Sequence, residues 1–287
     1  MSTPPIQWYP GHIAKAEKAL VEQIKRVDVV LEVRDCRIPL SSRHPQIAQW
    51  IGQKAHVLVM NRVDLIPASA VDRWREYLKA QKLTPYFTDA QHGKGIAAVS
   101  KAAQASGSKV NQRRKNRGMR PRAVRAVVVG FPNVGKSALI NRLLKRRVVP
   151  SAPRPGVTRQ LRWIRLSDQL EILDTPGVLP PLLEDQAAAY KLAICDDIGT
   201  AAYDNQLVAA MLVEHLQQLQ LQNIPGFGLH NPLKSRYQLE PQTTGEAYLA
   251  ALADQQHQGD LERTAQQLLT DFRKGRLGTL PLEAPPA

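Results

Sequence analysis

Eight consecutive residues, Gly130-Phe131-Pro132-Asn133-Val134-Gly135-Lys136-Ser137, have the composition and spacing of a loop that wraps phosphate. Glycine lets backbone N–H groups curl around an anion, and the loop opens a helix whose N-terminus favours negative charge. Asn133, Val134, Gly135, Lys136, Ser137 and Ala138 are therefore the candidate phosphate contacts. Lys136 can neutralise β- and γ-oxygens, and the Ser137 hydroxyl can ligate Mg²⁺. Asp174-Thr175-Pro176-Gly177 follows, its acid 37 residues after Ser137. Asp174 can hold Mg²⁺ through water, and the Gly177 N–H can face a γ-phosphate. Between the two, Pro155-Gly156-Val157-Thr158 offers either a hydroxyl that closes on Mg²⁺ and the γ-phosphate or a plain turn residue at Thr158.

Far upstream, Asn61-Arg62-Val63-Asp64 follows a strand-like run directly. In isolation Asn-x-x-Asp is only a helix start. Beside a phosphate loop, the Asp64 carboxylate can accept the N1–H and exocyclic amine of guanine, a donor pair that adenine lacks. Asp64 would then select GTP over ATP.

These residues need rigid strand ends to hold them. Val27 to Val33, His56 to Met60, Pro85 to Phe87, Ala123 to Val129 and Leu170 to Leu173 read as short buried strands. Helical patterns cover Pro45 to Ile51, 71–81 and 137–144. The alternation predicts an α/β fold with a mostly parallel sheet and helices on both faces, spanning 1–180. Residues 105–122 interrupt it with Ser106-Gly107-Ser108 and then Arg113, Arg114, Lys115, Arg117, Arg120 and Arg122, and read as a basic linker, either a solvated tether or a nucleic-acid arm. From 181 to 287, helical patterns at about 186–197, 203–222, 243–256 and 260–274 predict a small all-α C-terminal domain.

A formal net charge of +14 points to a polyanionic partner. The basicity is uneven, since residues 179–287 hold 7 Lys+Arg against 13 Asp+Glu. Lys234, Arg236, Arg273, Lys274 and Arg276 could still form a local basic face there, or be solvated surface charges. Cys36 and Cys195 lack metal-ligand or redox spacing, and the expectation is two reduced thiols. No apolar run approaches a membrane span and the N-terminus carries no leader pattern, so a cytoplasmic protein with no membrane partner is expected. No nucleophile elbow or further catalytic constellation accompanies the phosphate loop, which disfavours a metabolic or RNA-modifying NTPase.

Together the chain resembles the circularly permuted GTPases that act in ribosome biogenesis, in which the base-reading loop precedes the phosphate loop. Trp8-Tyr9-Pro10-Gly11-His12-Ile13-Ala14-Lys15-Ala16, Asp28, Arg34-Asp35, Ile38-Pro39, Asn61 to Asp64, the phosphate loop, Pro155 to Thr158, Asp174 to Gly177 and Leu268 to Gly278 carry the resemblance over nearly the whole chain. It implies a circularly permuted P-loop GTPase domain ahead of the helical domain. It also implies GTP hydrolysis with Mg²⁺, binding to rRNA and a precursor of the large (50S) ribosomal subunit in the GTP state, release after hydrolysis, and a monomer off the ribosome. An RNA scaffold that merely binds GTP is the alternative. The resemblance adds Asp89 and Ala90, from Thr88-Asp89-Ala90, as base neighbours beside Asn61, Arg62 and Asp64, and Asn133 as a candidate K⁺ ligand. Arg62 stands where the family usually has Lys. Many GTPases orient the attacking water with a Gln after the Asp-x-x-Gly loop, but here that position is Val178, and the resemblance points instead to His12 as the catalytic group.

Overall fold

The computed structural model describes residues 6, 12–145, 162–175, 177, 183–199, 202–222 and 231–286, with side chains for all of these except 12–17 and 109. The expected strands form. β1 (Val29–Asp35), β2 (Ala55–Asn61), β3 (Pro85–Thr88), β4 (Val124–Val129), β5 (Arg162–Ser167) and β6 (Leu170–Asp174) make one sheet in the order β3-β2-β1-β4-β6-β5. All neighbours are parallel except β5, which runs antiparallel to β6 at the edge. The β1, β2, β3, β4 and β6 strands consequently end on the same side, where α/β sheets place their ligands.

Alternation along the strands supplies two apolar faces. Val30, Val127, Val129 and Leu173 point to the side covered by α1 (His12–Ile24) and α2 (Ile47–Ile51), and Leu58 and Met60 pack on the same side against α3 (Ala68–Ala80). Val29, Leu31, Val33, Ala126 and Val128 point to the opposite face, where α4 (Ile96–Asn116) and α5 (Lys136–Leu144) lie. Both faces are thus buried, as parallel sheets require.

The basic linker expected over 105–122 is a correction. α4 runs unbroken through Asn116, and Gly107 lies inside it because the helix crosses β4 there. A Cβ on Gly107 would meet the Val124 side chain at 1.9 Å, so this glycine permits close approach rather than breaking the helix. The return to β4 is also ordered. The Asn111 amide bonds both backbone groups of Arg122, and Arg122 makes a two-pronged ion pair with Asp28 at 2.7 and 2.9 Å.

Beyond the sheet come α6 (Gln186–Ile194), α7 (Asn205–Leu221), α8 (Pro232–Tyr237), α9 (Gly245–His257) and α10 (Leu261–Arg273). Asp185, Asp204, Asn231, Thr244 and Asp260 cap them, each side chain accepting a backbone N–H of the first turn. The α7, α9 and α10 helices pack together, and their core continues into that of the sheet. Among the described residues no helix is long and apolar enough to cross a membrane.

Candidate nucleotide site

Asn61, the last residue of β2, is buried where three loops meet. Its amide nitrogen donates to the Val134 carbonyl at 2.8 Å, while its amide oxygen accepts from the Thr88 hydroxyl and the Ala90 N–H, both at 3.1 Å. One side chain therefore ties the phosphate loop, the loop after β2 and the segment after β3. Gly135 makes this possible: its φ is +101°, and a Cβ there would lie 2.1 Å from the Asn61 amide nitrogen.

The segment after Asn61 turns sharply. Arg62 adopts a left-handed φ of 63° and its guanidinium donates to the Asn133 carbonyl at 2.5 Å. It thus reaches the phosphate loop although it is bulkier than lysine. Its other neighbour is Asp35, at 3.5 Å. Asp64 follows in a short 3-10 turn, Val63–Leu65, and is exposed at the rim. Desolvation and the Asp89 charge raise its carboxyl above the usual range. Asp89 itself accepts the backbone N–H groups of Gln91 and His92, which makes it a turn-forming side chain.

On the phosphate side, Lys136 is buried at the start of α5 and donates to the carbonyls of Gly130 and Phe131 at 3.1 and 2.7 Å. Burial lowers its pKa to about 8, against the opposing charges of Asp174 and Asp197. Asp174 ends β6, beside β4 and the phosphate loop, with only 2% of its surface exposed. Gly177 backs directly onto the loop, since a Cβ there would stand 2.6 Å from the Pro132 backbone. Ser137 lies in the first turn of α5, followed by Ala138. Hard oxygen donors, a hydroxyl in the first turn of α5 and a carboxylate at the end of β6, suit Mg²⁺.

A third set of contacts comes from the C-terminal helices, and sequence patterns gave no sign of it. The Asn133 amide donates to the Asp196 carbonyl at 2.7 Å, just after α6. Next to it Asp197 is fully buried, with neither carboxylate oxygen hydrogen-bonded among the described residues. Burial, then the Asp35 charge, push its pKa well up. Arg37, also buried, holds Asp35 through paired bonds at 3.0 and 2.7 Å, donates to the Cys195 carbonyl at 3.1 Å and covers the Phe272 ring. Burial opposes the Asp35 charge, yet Arg37 and Arg62 keep that carboxyl below its usual range.

Several expectations meet different fates. Thr158 and Val178 lie outside the described residues. His12 begins α1, and its side chain also lies outside them. The basic face considered among the C-terminal helices is largely committed to internal pairs. Arg236 and Arg276 both bind Asp271, Lys234 pairs with Glu240 at 2.7 Å, and Arg273 caps the last carbonyls of α6 and meets the Tyr203 hydroxyl. The free thiols Cys36 and Cys195 are both buried.

A phosphate loop between β4 and α5, an acid at the end of the neighbouring β6, and an Asn-x-x-Asp loop at the end of the earlier β2 define a circularly permuted P-loop GTPase. Comparison with known proteins agrees. Residues 125–224 match the family described as 50S ribosome-binding GTPase. The chain is 36% identical to ribosome biogenesis GTPase A of Priestia megaterium over 98% of this chain and 97% of that one. It is similar in fold to a GDP-bound YlqF (TM-score 0.64, 21% identity, 93% of this chain and 99% of that one). The GNP-bound YlqF from T. maritima gives a TM-score of 0.62 at 21% identity, covering 94% of this chain and 98% of that one. The chain belongs to the ribosome biogenesis GTPase A family.

Proposed function

We propose that this GTPase acts in late maturation of the large ribosomal subunit, binding the precursor particle and its rRNA with GTP and leaving after hydrolysis. The observation that carries the reading is the Asn61 junction, which brings a guanine-selecting loop and a phosphate-holding loop to one sheet edge in a chain of this family. Asp64 accepts the guanine N1–H and amine, while Arg62, Asp89 and Ala90 flank the base. Backbone N–H groups from Asn133 to Ala138, the Lys136 ammonium and the Gly177 N–H hold the phosphates. Lys136 would exchange its two loop carbonyls for phosphate oxygens, whose negative charge favours the protonated amine that burial disfavours.

Ser137, Thr158 and Asp174 would hold Mg²⁺, which supplies positive charge to the β- and γ-oxygens. Asn133 keeps its amide oxygen for K⁺ while its nitrogen is bonded to Asp196. Val178 cannot polarise water, so that role goes to His12, whose neutral imidazole accepts a hydrogen bond from the attacking water. Residues 1–180 form the GTPase unit and 181–287 a helical unit that reads its state through Asp196. The protein works in the cytoplasm and as a monomer away from the particle.

The test is sedimentation of precursor large-subunit particles with the protein bound to GDP or a non-hydrolysable GTP analogue. Preferential co-sedimentation of the analogue form is expected; equal binding of both forms would favour the scaffold alternative. Turnover of His12→Ala, with and without particles, checks the catalytic assignment, which fails if stimulated turnover is unchanged.

A further inference from the structure

The edge strand β5 is absent from the strands expected of the sequence because Arg162-Trp163-Ile164-Arg165 sets two apolar residues between arginines. In the fold it leaves an aromatic ring on the surface. Trp163 is 39% exposed, whereas Trp50 and Trp74 are buried. It is opposite Leu173 in the antiparallel register, so it faces the side of the sheet that carries α1. There a groove of about 390 Å³ opens between the last turn of α1 and the sheet edge. Gln23 and Arg26 line one wall, and Arg125, Trp163, Arg165 and Glu171 line the floor and the other wall.

The charge of this groove is positive. Among the described residues Glu171 is the one acid lining it, and Arg125 lies 3.4 Å from it. Arg26 and Arg165 are exposed, and among the described residues Arg165 pairs with Asp168, itself almost fully in water, so that pair neutralises little. The Arg125 guanidinium sits 5.5 Å from the centre of the indole ring, which keeps that ring polarised and one cation beside it.

We propose that this groove binds an unpaired base of single-stranded RNA, stacked on Trp163, with Arg26, Arg125 and Arg165 holding the flanking phosphates. The inference rests on the reading above that the protein binds precursor rRNA, and it places a contact on the GTPase unit. A protein-docking patch would need an apolar centre, but here one aromatic stands among arginines. A lone exposed ring flanked by cations is the arrangement of single-strand sites, where every base offers a face to stack and affinity follows salt. The hairpin of β5 and β6 also leads directly into Asp174, so a base held at Trp163 sits one strand from the phosphate side.

The experiment measures anisotropy of a short labelled single-stranded RNA, and of its duplex, with full-length protein and a GTP analogue. Trp163→Ala is expected to weaken single-strand binding about tenfold, Trp163→Phe to restore most of it, and duplex binding to change little. Arg165→Ala should lower the salt dependence by about one phosphate contact. Equal single-strand affinity of wild type and Trp163→Ala, at matching melting temperature, overturns the proposal. If the alanine variant melts early, ultraviolet crosslinking of wild type to the RNA decides: adducts on the Trp163 peptide are expected, and their absence overturns it. Loss of particle binding with unchanged oligonucleotide binding would assign the groove to a protein and likewise overturn it. Wild type that binds neither oligonucleotide nor particle would instead sink the ribosome reading itself.

Discussion

Asn133 of the phosphate loop and Asp196 of the segment after α6 share a 2.7 Å hydrogen bond, amide to carbonyl. Both residues are left-handed, with φ of 54° and 65°, and so is Arg62 at 63°, which binds the Asn133 carbonyl. Three backbones in an uncommon conformation therefore meet at one point between sheet and helices.

That junction makes the cation dependence testable. Turnover in K⁺ is expected to exceed turnover in Na⁺ by about tenfold, the scale of one added charge near the leaving oxygen. Asn133→Ala should erase the difference. If K⁺ still accelerates the alanine variant, another group holds the ion.

Asp64→Asn should exchange the preferred base. An amide cannot accept both guanine donors, so GDP affinity is expected to fall about 100-fold, from lost charge-assisted bonds. Xanthosine diphosphate, with a carbonyl in place of the amine, should bind the variant better than GDP does. Competition titration reads both, and an unaltered base preference would remove Asp64 from the role.

Asn61→Ala deletes the side chain that joins the two nucleotide loops while touching no nucleotide phosphate. The buried Val134 carbonyl and Ala90 N–H lose their bonds to it, costing about 2 kcal/mol of stability. Nucleotide affinity should drop as well, because the two loops lose their fixed separation. A variant with unchanged melting temperature and GDP affinity would contradict this.

Two buried groups, His44 and Glu32, contribute to the acid limb of stability. Burial pushes His44 down to about 4, partly offset by the Glu32 charge, so the folded protein keeps the imidazole neutral. An unfolded His protonates near 6.5, and stability falls as pH drops from there through about 4. Burial alone would raise Glu32, yet the His56 hydrogen bond and Arg34 hold it at about 2 against an unfolded 4.5. Its contribution, about 3 kcal/mol, is complete above 4.5 and is lost as pH falls toward 2. Urea unfolding across pH should show two segments, the upper flattened in His44→Asn and the lower in Glu32→Gln.

The phosphate loop, Asp174 and the Asn61 loop were legible because each is a short run whose residue types carry the chemistry, placed at the end of a β-branched strand. The capped helices were legible for a similar reason, as Asp185, Asp204 and Asp260 stand directly before apolar patterns. What escaped depends on contacts across the chain. Gly107 and its serine neighbours resemble a linker until Val124 is placed against them. Arg37, Asp196 and Asp197 look like ordinary surface charges, and only the docking of α6 and α10 buries Arg37 and Asp197 and brings Asp196 to the phosphate loop. β5 escaped because its covered face contributes only Ile164 and Leu166, two apolar positions set among arginines.

The strand order also divides the sheet in time. β1, β2 and β3 are neighbours in sequence and in space, as are β4, β5 and β6, and the strands of the two halves pair along the β1–β4 seam. During synthesis the half bearing Asn61 and Asp64 emerges first and must wait, with the open side of β1 unpaired, until β4 arrives from nearly 90 residues later. In the binding mode proposed above, GTP touches loops from both halves, base to the first and phosphates to the second. The ligand is consequently a fastener across the seam, and nascent chains supplied with nucleotide should close it sooner than chains starved of it.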